Sequence, residues 1–392
     1  MEPAVDDAGY ADILHEAVRI KAEILAHGVN LTPELLRNFG PPYLEKRRAY
    51  GNQDPPELRR HTIPQEVWFA DRQVIAAVNV RPSSPWDLTF DGTSYRLFHS
   101  DGRSLDVDFP RRPGFYDRWL PGGRPTNQIV TLYGGTSLAV FVYGSCSLVE
   151  TGNPCGYCSI EQNRSIATEY DKVVRPAQLR DALASALSDS PDHVNQVMLN
   201  GGNFHDADKS FQYYAELVSV AREAIDRSGK LVELHLIVFP PKDLSLFERL
   251  RGTGASIAMN TEIYDPQLFA RYCPGKAKVI DRCHMFDALE AASDVVGRGH
   301  VFSIFVGGLE PLDSLREGLD FVFSKGAVPV INVFHPDPGT PLESHPAPPV
   351  EQIMAMGRAL QGAYDQHEFA RPFYDHCGRN SLDSEAHMRL FV

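Results

Sequence analysis

The stretch Ser137-Leu-Ala-Val-Phe-Val-Tyr-Gly-Ser-Cys-Ser-Leu-Val-Glu-Thr-Gly-Asn-Pro-Cys-Gly-Tyr-Cys158 decides the reading of this 392-residue chain. Its first half, Ser137 to Tyr143, is an almost unbroken apolar run with the length of a buried strand. Its second half carries Cys146, Cys155 and Cys158, and the intervening Glu-Thr-Gly-Asn-Pro is loop-forming and able to wrap around a metal. A strand that ends in Cys146 puts sulfur at its C-terminal end, the face where βα barrels place their chemistry. Three closely spaced thiols with no fourth nearby suggest an iron–sulfur cluster that keeps one iron free for a small molecule.

Spacing alone leaves two plainer readings open. A zinc site would need a fourth ligand, for which His205 and Cys377 are candidates. Alternatively the thiols are simply buried, as cysteines often are. Gly156 lets the backbone of Cys155-Gly-Tyr-Cys158 come close to a bound group.

Downstream of about residue 128 the pattern alternates strand and helix. Strands are expected near 137–144, 195–200, 231–239, 256–260, 300–306 and 328–334. Helices are expected near 176–188, 211–227, 244–251, 278–295, 312–325 and 348–366. About six βα units in sequence require crossovers and therefore a parallel sheet. The fold class is α/β, a partial or full TIM-like (βα) barrel, with an open doubly wound sheet as the alternative. Upstream, residues 8–27 read as an amphipathic helix, and Thr32-Pro33 opens a second. Residues 64–110 change period, with Asp91-Gly92 and Asp101-Gly102 as hairpin turns of a β-meander. Pro/Gly-rich residues 110–126 mark a boundary. The expected organisation is an N-terminal α+β extension over 1–126, a barrel over 127–345, and a C-terminal helix and tail over 346–392.

Composition sets the class. Hydrophobic residues make up 43% and charged residues 23%, ordinary for a globular protein with a sizeable core. No window approaches the roughly 18 consecutive apolar residues of a membrane span. The N-terminus lacks the basic and apolar regions of a secretory signal, which points to the reducing cytoplasm and against disulfides. A net charge of −13 with only short basic clusters, Lys46-Arg47-Arg48, Arg59-Arg60 and Arg111-Arg112, argues against nucleic acid.

Four strand ends, in order, resemble the radical S-adenosylmethionine (SAM) superfamily, and its biotin synthase-like branch in particular. They are the cysteine triad with Tyr157 before the last thiol; Leu199-Asn-Gly-Gly-Asn203, where the family has a Gly-Gly-Glu turn; Ala258-Met-Asn-Thr-Glu262; and Val301 to Glu310 running on into Asn332 to Leu342. The resemblance covers about 135–345. It implies a [4Fe–4S] cluster held by Cys146, Cys155 and Cys158, with SAM chelating the fourth iron. One electron from the cluster would split SAM into methionine and a 5′-deoxyadenosyl radical, which takes a hydrogen atom from substrate. It further implies Gly201, Gly202 and Asn203 at the methionine end, Asn260 and Glu262 on the ribose, and Arg282 on the SAM carboxylate. Tyr157, Val306 and Gly307 would border the adenine. Two departures stand out. The cysteine gaps are eight and then two residues, against the family's three and two, although longer first gaps occur, as in the Elongator catalytic subunit. Asn203 replaces the glutamate and so loses its charge.

Cys283 falls within a helical apolar pattern with Ile280, Met285, Phe286 and Leu289 and reads as a small core residue, so a second cluster from Cys273, Cys283 and Cys377 is not expected. Cys377, if the tail folds over the barrel mouth, becomes a candidate hydrogen donor to a substrate radical. The expected substrate is a small molecule or peptide in natural-product or cofactor tailoring, with a flavodoxin- or ferredoxin-like electron donor. The rival is a zinc- or cluster-binding barrel without radical chemistry.

Overall fold

The structure, a computed structural model, describes residues 7–38, 64–166 and 172–392. Helix α1 (Asp7–His27) takes the place expected for it and ends at Gly28. In α2 (Pro33–Asn38) the Thr32 hydroxyl accepts the Leu35 amide at 3.3 Å, and Pro33 has no amide to satisfy. Strand β1 (Asn30–Leu31) pairs with β4 (Trp86–Phe90), which continues into the meander β5 (Tyr95–His99) and β6 (Ser104–Val107). Asp91 builds the first turn, its carboxylate accepting the amides of Thr93 and Ser94 at 2.9 Å each. A separate hairpin joins β2 (Glu66–Phe69) to β3 (Val74–Ala77), and a short ladder joins β7 (Trp119–Leu120) to β8 (Arg124–Pro125). The basic runs at 46–48 and 59–60 lie outside the described residues.

The second half is one seven-stranded sheet. Antiparallel β9 (Val130–Tyr133) is the edge, followed by β10 (Ser137–Tyr143), β11 (Gln196–Gly201), β12 (Glu233–Ile237), β13 (Ala255–Ala258), β14 (Val301–Gly307) and β15 (Val328–Val333), neighbours throughout in chain order. The six strands β10 to β15 are parallel. Strictly sequential order without a reversal is barrel-like and rules out the doubly wound alternative. Their helical crossovers are α5 (Pro176–Asp189) and α6 (Ala207–Ser228), a 3₁₀ turn at Leu244–Leu250, α9 (Arg282–Val296) and α10 (Leu312–Ser324), with α11 (Val350–Tyr364) following β15. The helix expected over 278–295 divides at Asp281: α7 (Pro266–Tyr272) and α8 (Pro274–Val279) precede it, and the Asp281 carboxylate caps α9 through the Cys283 amide at 2.7 Å.

Side-chain alternation assigns the two faces of the sheet. On β14, Phe305 packs on Gly318 of α10, and a Cβ on Gly307 would lie 2.8 Å from Met356 Sδ of α11. Phe302, Ile304 and Val306 therefore point the opposite way, into the lumen. Through the strand register the same face carries Phe141, Asn200, Ile237 and Asn332 toward the C-terminal end.

The tail joins the two edges of the sheet. Asn380 accepts the Val333 amide at 2.8 Å and Ile331 accepts the Leu382 amide at 3.0 Å, while Arg379 lies 4.2 Å from the Tyr133 ring of β9. One short segment, residues 379–382, touching both edge strands means the sheet curls, and the barrel is partial because β9 and β15 do not pair with each other. Phe373 plugs the N-terminal end of the lumen, its ring 4.7 Å from His235 and 5.0 Å from Phe302. Lys21 of α1, 1% exposed, holds the tail through the carbonyls of Gly378 at 3.0 Å and Ser381 at 2.6 Å and through Glu385 of α12 (Asp383–His387) at 2.7 Å. Among the described residues the larger of two apolar clusters runs from α1 through the barrel to Phe391. Among the described residues, no helix is long and apolar enough to cross a membrane.

Candidate functional site

The cysteine loop leaves β10 at its C-terminal end and is fastened on several sides. Cys146 precedes the single turn α3 (Ser147–Glu150), and the Ser147 amide donates to the Asn203 carbonyl at 2.8 Å. Glu150 gathers the Ser145 hydroxyl at 3.0 Å, His205 Nε2 at 2.9 Å and Lys172 Nζ at 2.6 Å. Those partners, Lys172 foremost, hold its carboxyl down at about 2. At the second pair of thiols, the Gly156 amide donates to the Tyr272 carbonyl at 2.7 Å and its carbonyl accepts the Leu342 amide at 3.0 Å. Loops from β10, β11, β13 and β15 thus converge on the thiols, and α4 (Ile160–Ile166) starts directly after them.

Cys146 and Cys155 are buried and Cys158 half-buried, in an apolar cluster with Leu148, Ile263, Phe269 and Phe334. The Cys158 thiol is pushed up to about 12, first by burial and then by the charges of Cys155 and Cys146. The three sulfurs are thus within electrostatic reach of one another. Among the described residues no three His, Cys, Asp or Glu side chains stand close enough to share one metal ion. A cluster needs less: each sulfur holds its own iron, and an all-thiolate, apolar donor set is the one iron–sulfur clusters take. On that test the loop fits a cluster.

Several expected residues come together around the loop. Gly202 makes the tightest approach. A Cβ there would sit 1.7 Å from the Ser145 carbonyl oxygen and 2.9 Å from Cys146 Cβ, so the glycine is what lets β11 pass beneath the first thiol. At Gly201 the same atom would meet Tyr214 Oη at 2.6 Å. Asn203 contributes its carbonyl to Ser147. Val306 lies in the thiol cluster. The buried Asn260 amide oxygen has no partner among the described residues, which leaves it ready for a ligand's donor.

Glu262 has a neighbour that sequence reasoning missed. Its backbone is left-handed (φ 64°), and its buried carboxylate pairs with Lys276 of α8. Burial lowers the Lys276 pKa, but the charges of Glu262, Cys155 and Cys273 outweigh it and the net shift is upward. Tyr157 points into the same corner, its hydroxyl 3.7 Å from Cys273 Sγ, and burial raises its pKa well above the usual phenol range.

Other expectations need correction. Arg282 gives its guanidinium to the carbonyls of Ile263, at 3.1 Å, and Tyr264, under the rings of Phe269 and Phe286. It serves the loop after β13, and its fork is not free for a carboxylate. Gly307 faces α11 and closes strand–helix packing, so only Val306 of that pair faces the lumen. Cys377 is fully buried at the other end of the barrel, its thiol 3.5 Å from Gln196 Oε1 at the start of β11, because the tail plugs the bottom and does not cover the mouth. Cys283 is exposed: it lies about 200° around α9 from buried Met285, and Ile280, which suggested otherwise, precedes the helix. His205, one candidate fourth zinc ligand, is committed to Glu150. The thiol that does approach the triad is Cys273, between α7 and α8, which no sequence spacing marked.

Below the thiols the lumen wall is uncharged. Phe141 is 51% exposed there, and the buried amide oxygens of Asn200 and Asn332 have no partner among the described residues. Apart from Glu233 at the plugged end, the lumen face of the parallel strands carries no Asp, Glu, Lys or Arg.

No protein-family model matches the chain. The bacteriochlorophyllide c C-7(1)-hydroxylase of Chlorobaculum limnaeum is 24% identical over 283 residues, covering 67% of this chain and 70% of that protein. Among solved structures, methylornithine synthase (PylB) is 16% identical with a TM-score of 0.43, over 60% of this chain and 63% of that one. A radical SAM methyltransferase from Sphaerobacter thermophilus is 12% identical with a TM-score of 0.43, over 72% and 76% of the two chains. The [FeFe]-hydrogenase maturase HydG is 10% identical with a TM-score of 0.42, over 59% and 51%. The matched region therefore spans less than two thirds of PylB and of HydG.

Proposed function

We propose that this chain, as a radical SAM enzyme, holds a [4Fe–4S] cluster on Cys146, Cys155 and Cys158 and binds SAM at the C-terminal mouth of its partial barrel. The observation that carries this is the convergence of the three thiols in one apolar pocket, fastened by loops from four strands. When bound, the pair supplies a one-electron cleavage of SAM to methionine and a 5′-deoxyadenosyl radical that removes hydrogen from substrate. The protein's part is to bind, orient and exclude water. Asn203 and the backbone at Gly201-Gly202 receive the methionine end, Asn260 offers its unpartnered amide to the ribose, and Tyr157 and Val306 wall the adenine side. Glu262 remains a ribose candidate, with Lys276 fixing its carboxylate.

The uncharged lumen, with Phe141 and the amides of Asn200 and Asn332, suits a small organic molecule whose polar groups are few and neutral. The Chlorobaculum relative, named for a bacteriochlorophyllide, supports a reading in natural-product or cofactor tailoring. A flavodoxin- or ferredoxin-like protein would supply the electron. The six cysteines are all free thiols, which supports a reducing compartment such as the cytoplasm.

Anaerobic reconstitution tests this. A brown protein with four irons and four sulfides per chain that forms 5′-deoxyadenosine from SAM and dithionite is expected. A colourless protein carrying one zinc overturns it.

A further inference from the structure

The N-terminal extension meets the bottom of the barrel at an open cavity of about 340 Å³, which has no part in the scheme above. Trp68 and Arg72 of the β2–β3 hairpin and Arg111 line it from the extension. Pro191 and His193, in the connection from α5 to β11, line it from the barrel. Its volume is within the range of small-molecule sites, which gather where two parts of a protein meet. The apolar wall is fixed. Trp68 is 3% exposed, its Nε1 donates to the Gly134 carbonyl at 3.3 Å, and His193 packs edge-on to its ring at 5.6 Å. Gly135 leaves room for the indole, since a Cβ there would lie 1.8 Å from Trp68 Cζ2.

The charged side is set by a strained turn. Ala70, Asp71 and Arg72 are all left-handed, with φ of 49°, 52° and 68°, and the Gln73 amide closes the turn on the Ala70 carbonyl at 2.9 Å. Residues with a side chain visit that region singly and seldom in runs. Strain of this kind gathers at ligand sites, where the surroundings impose it. Here it sets Arg72 over the Trp68 ring at 4.8 Å, with the exposed Asp108 carboxylate 3.5 Å away. Two guanidiniums on one small cavity repel each other, and an anion between them relieves both.

We propose that this cavity binds a small organic anion, a carboxylate or phosphate carried on an aromatic ring: Arg72 and Arg111 take the oxyanion, while Trp68, Pro191 and His193 receive the ring. A guanidinium fork matches either oxyanion, and flat side chains suit a ring. Nothing reacts there. The site lies at the opposite end of the barrel from the thiols and stands independently of the cluster.

Isothermal titration calorimetry on the full chain tests this with three single-ring probes: benzoate, phenylphosphate and neutral benzamide. At least one of the two anions should bind at one site per chain about tenfold or more tighter than benzamide, and the tighter anion tells which oxyanion the site takes. Arg72→Ala and Arg111→Ala should each weaken that binding about three- to tenfold, the loss of one charge-assisted contact at an exposed site. Arg72→Lys, which keeps the charge without the fork, should recover only part of it. Raising the salt from about 0.05 to about 0.5 M should weaken the anion and leave benzamide unchanged. Benzamide binding as tightly as both anions overturns the proposal, and so does the absence of saturable binding by either anion. Wild-type affinity in both alanine variants would put the bound anion elsewhere and overturns it too. If Arg72→Ala fails to fold, Arg111→Ala decides alone.

Discussion

Replacing Gly202 by alanine would place a Cβ 1.7 Å from the Ser145 carbonyl oxygen, where real Cβ contacts essentially never fall under 3.0 Å. Ser145 or β11 must therefore give way by at least the difference, 1.3 Å, and Cys146 is the next residue. Metal–ligand distances tolerate about 0.2 Å, so even a fraction of that shift passed on to the first thiol exceeds what a bond to iron allows. Relief of the overlap should cost about 1–3 kcal/mol, and the Ser147–Asn203 hydrogen bond at this junction about 1 kcal/mol more if it breaks. For a chain of this length that lowers the apo-protein's melting temperature by only about 3–5 °C. The variant should thus fold but load poorly, with iron content after reconstitution falling to about a tenth of wild type. Gly362→Ala is the control: it lies in α11 with nothing within 4 Å of the added carbon, and should gain about 0.5–1 kcal/mol without changing iron content. Full iron content in Gly202→Ala, with wild-type 5′-deoxyadenosine formation, would refute the reasoning.

Other outcomes follow from the same geometry. Lys21→Met strands Glu385 in the core and should destabilise the protein by about 3–5 kcal/mol, whereas Lys21→Met with Glu385→Leu should recover most of that in a denaturant titration; a double variant as unstable as the single one contradicts it. Phe373→Ala removes the plug at a cost of about 3–5 kcal/mol yet leaves iron loading intact, because the thiols lie at the opposite end; loss of iron at unchanged stability would contradict that. For Glu150 the folded-state pKa is depressed, so the unfolded chain binds more protons and stability rises with pH. Its contribution should be complete above about pH 5 and vanish by about pH 2. Acid unfolding of wild type and Glu150→Gln should converge toward that lower limit, and curves that stay parallel throughout would count against it.

Strand and helix periodicity is local, and so the six parallel strands were legible to within a residue or two. Helix α6 starts at Ala207, before the expected 211, because Asp206 caps it through the amides of Asp208 and Lys209; a cap outside the apolar stripe carries no periodic signal. The cysteine triad was legible because its ligands are neighbours in sequence. Cys273 and Lys276 were not, since only the fold of the loop after β13 brings them to Cys155. Arg282 and Gly307 erred for another reason: position in a motif does not say which way a side chain faces, and one residue on a strand reverses it. Cys377 erred because nothing in the polar tail announces which end of a barrel it will plug.

The clamp of Lys21 on Glu385 joins residues 364 positions apart. Synthesis delivers α1 before the barrel strands and its tail partners after them, so the ammonium must stay in water while the barrel strands form. Contacts of such long range come late and slowly. Until the tail docks, β15 remains a bare strand edge, ready to pair with another chain. The nascent protein therefore has a period in which that edge is open and its bottom unplugged. Slowed or interrupted synthesis should show first as aggregation, before any loss at the thiol loop.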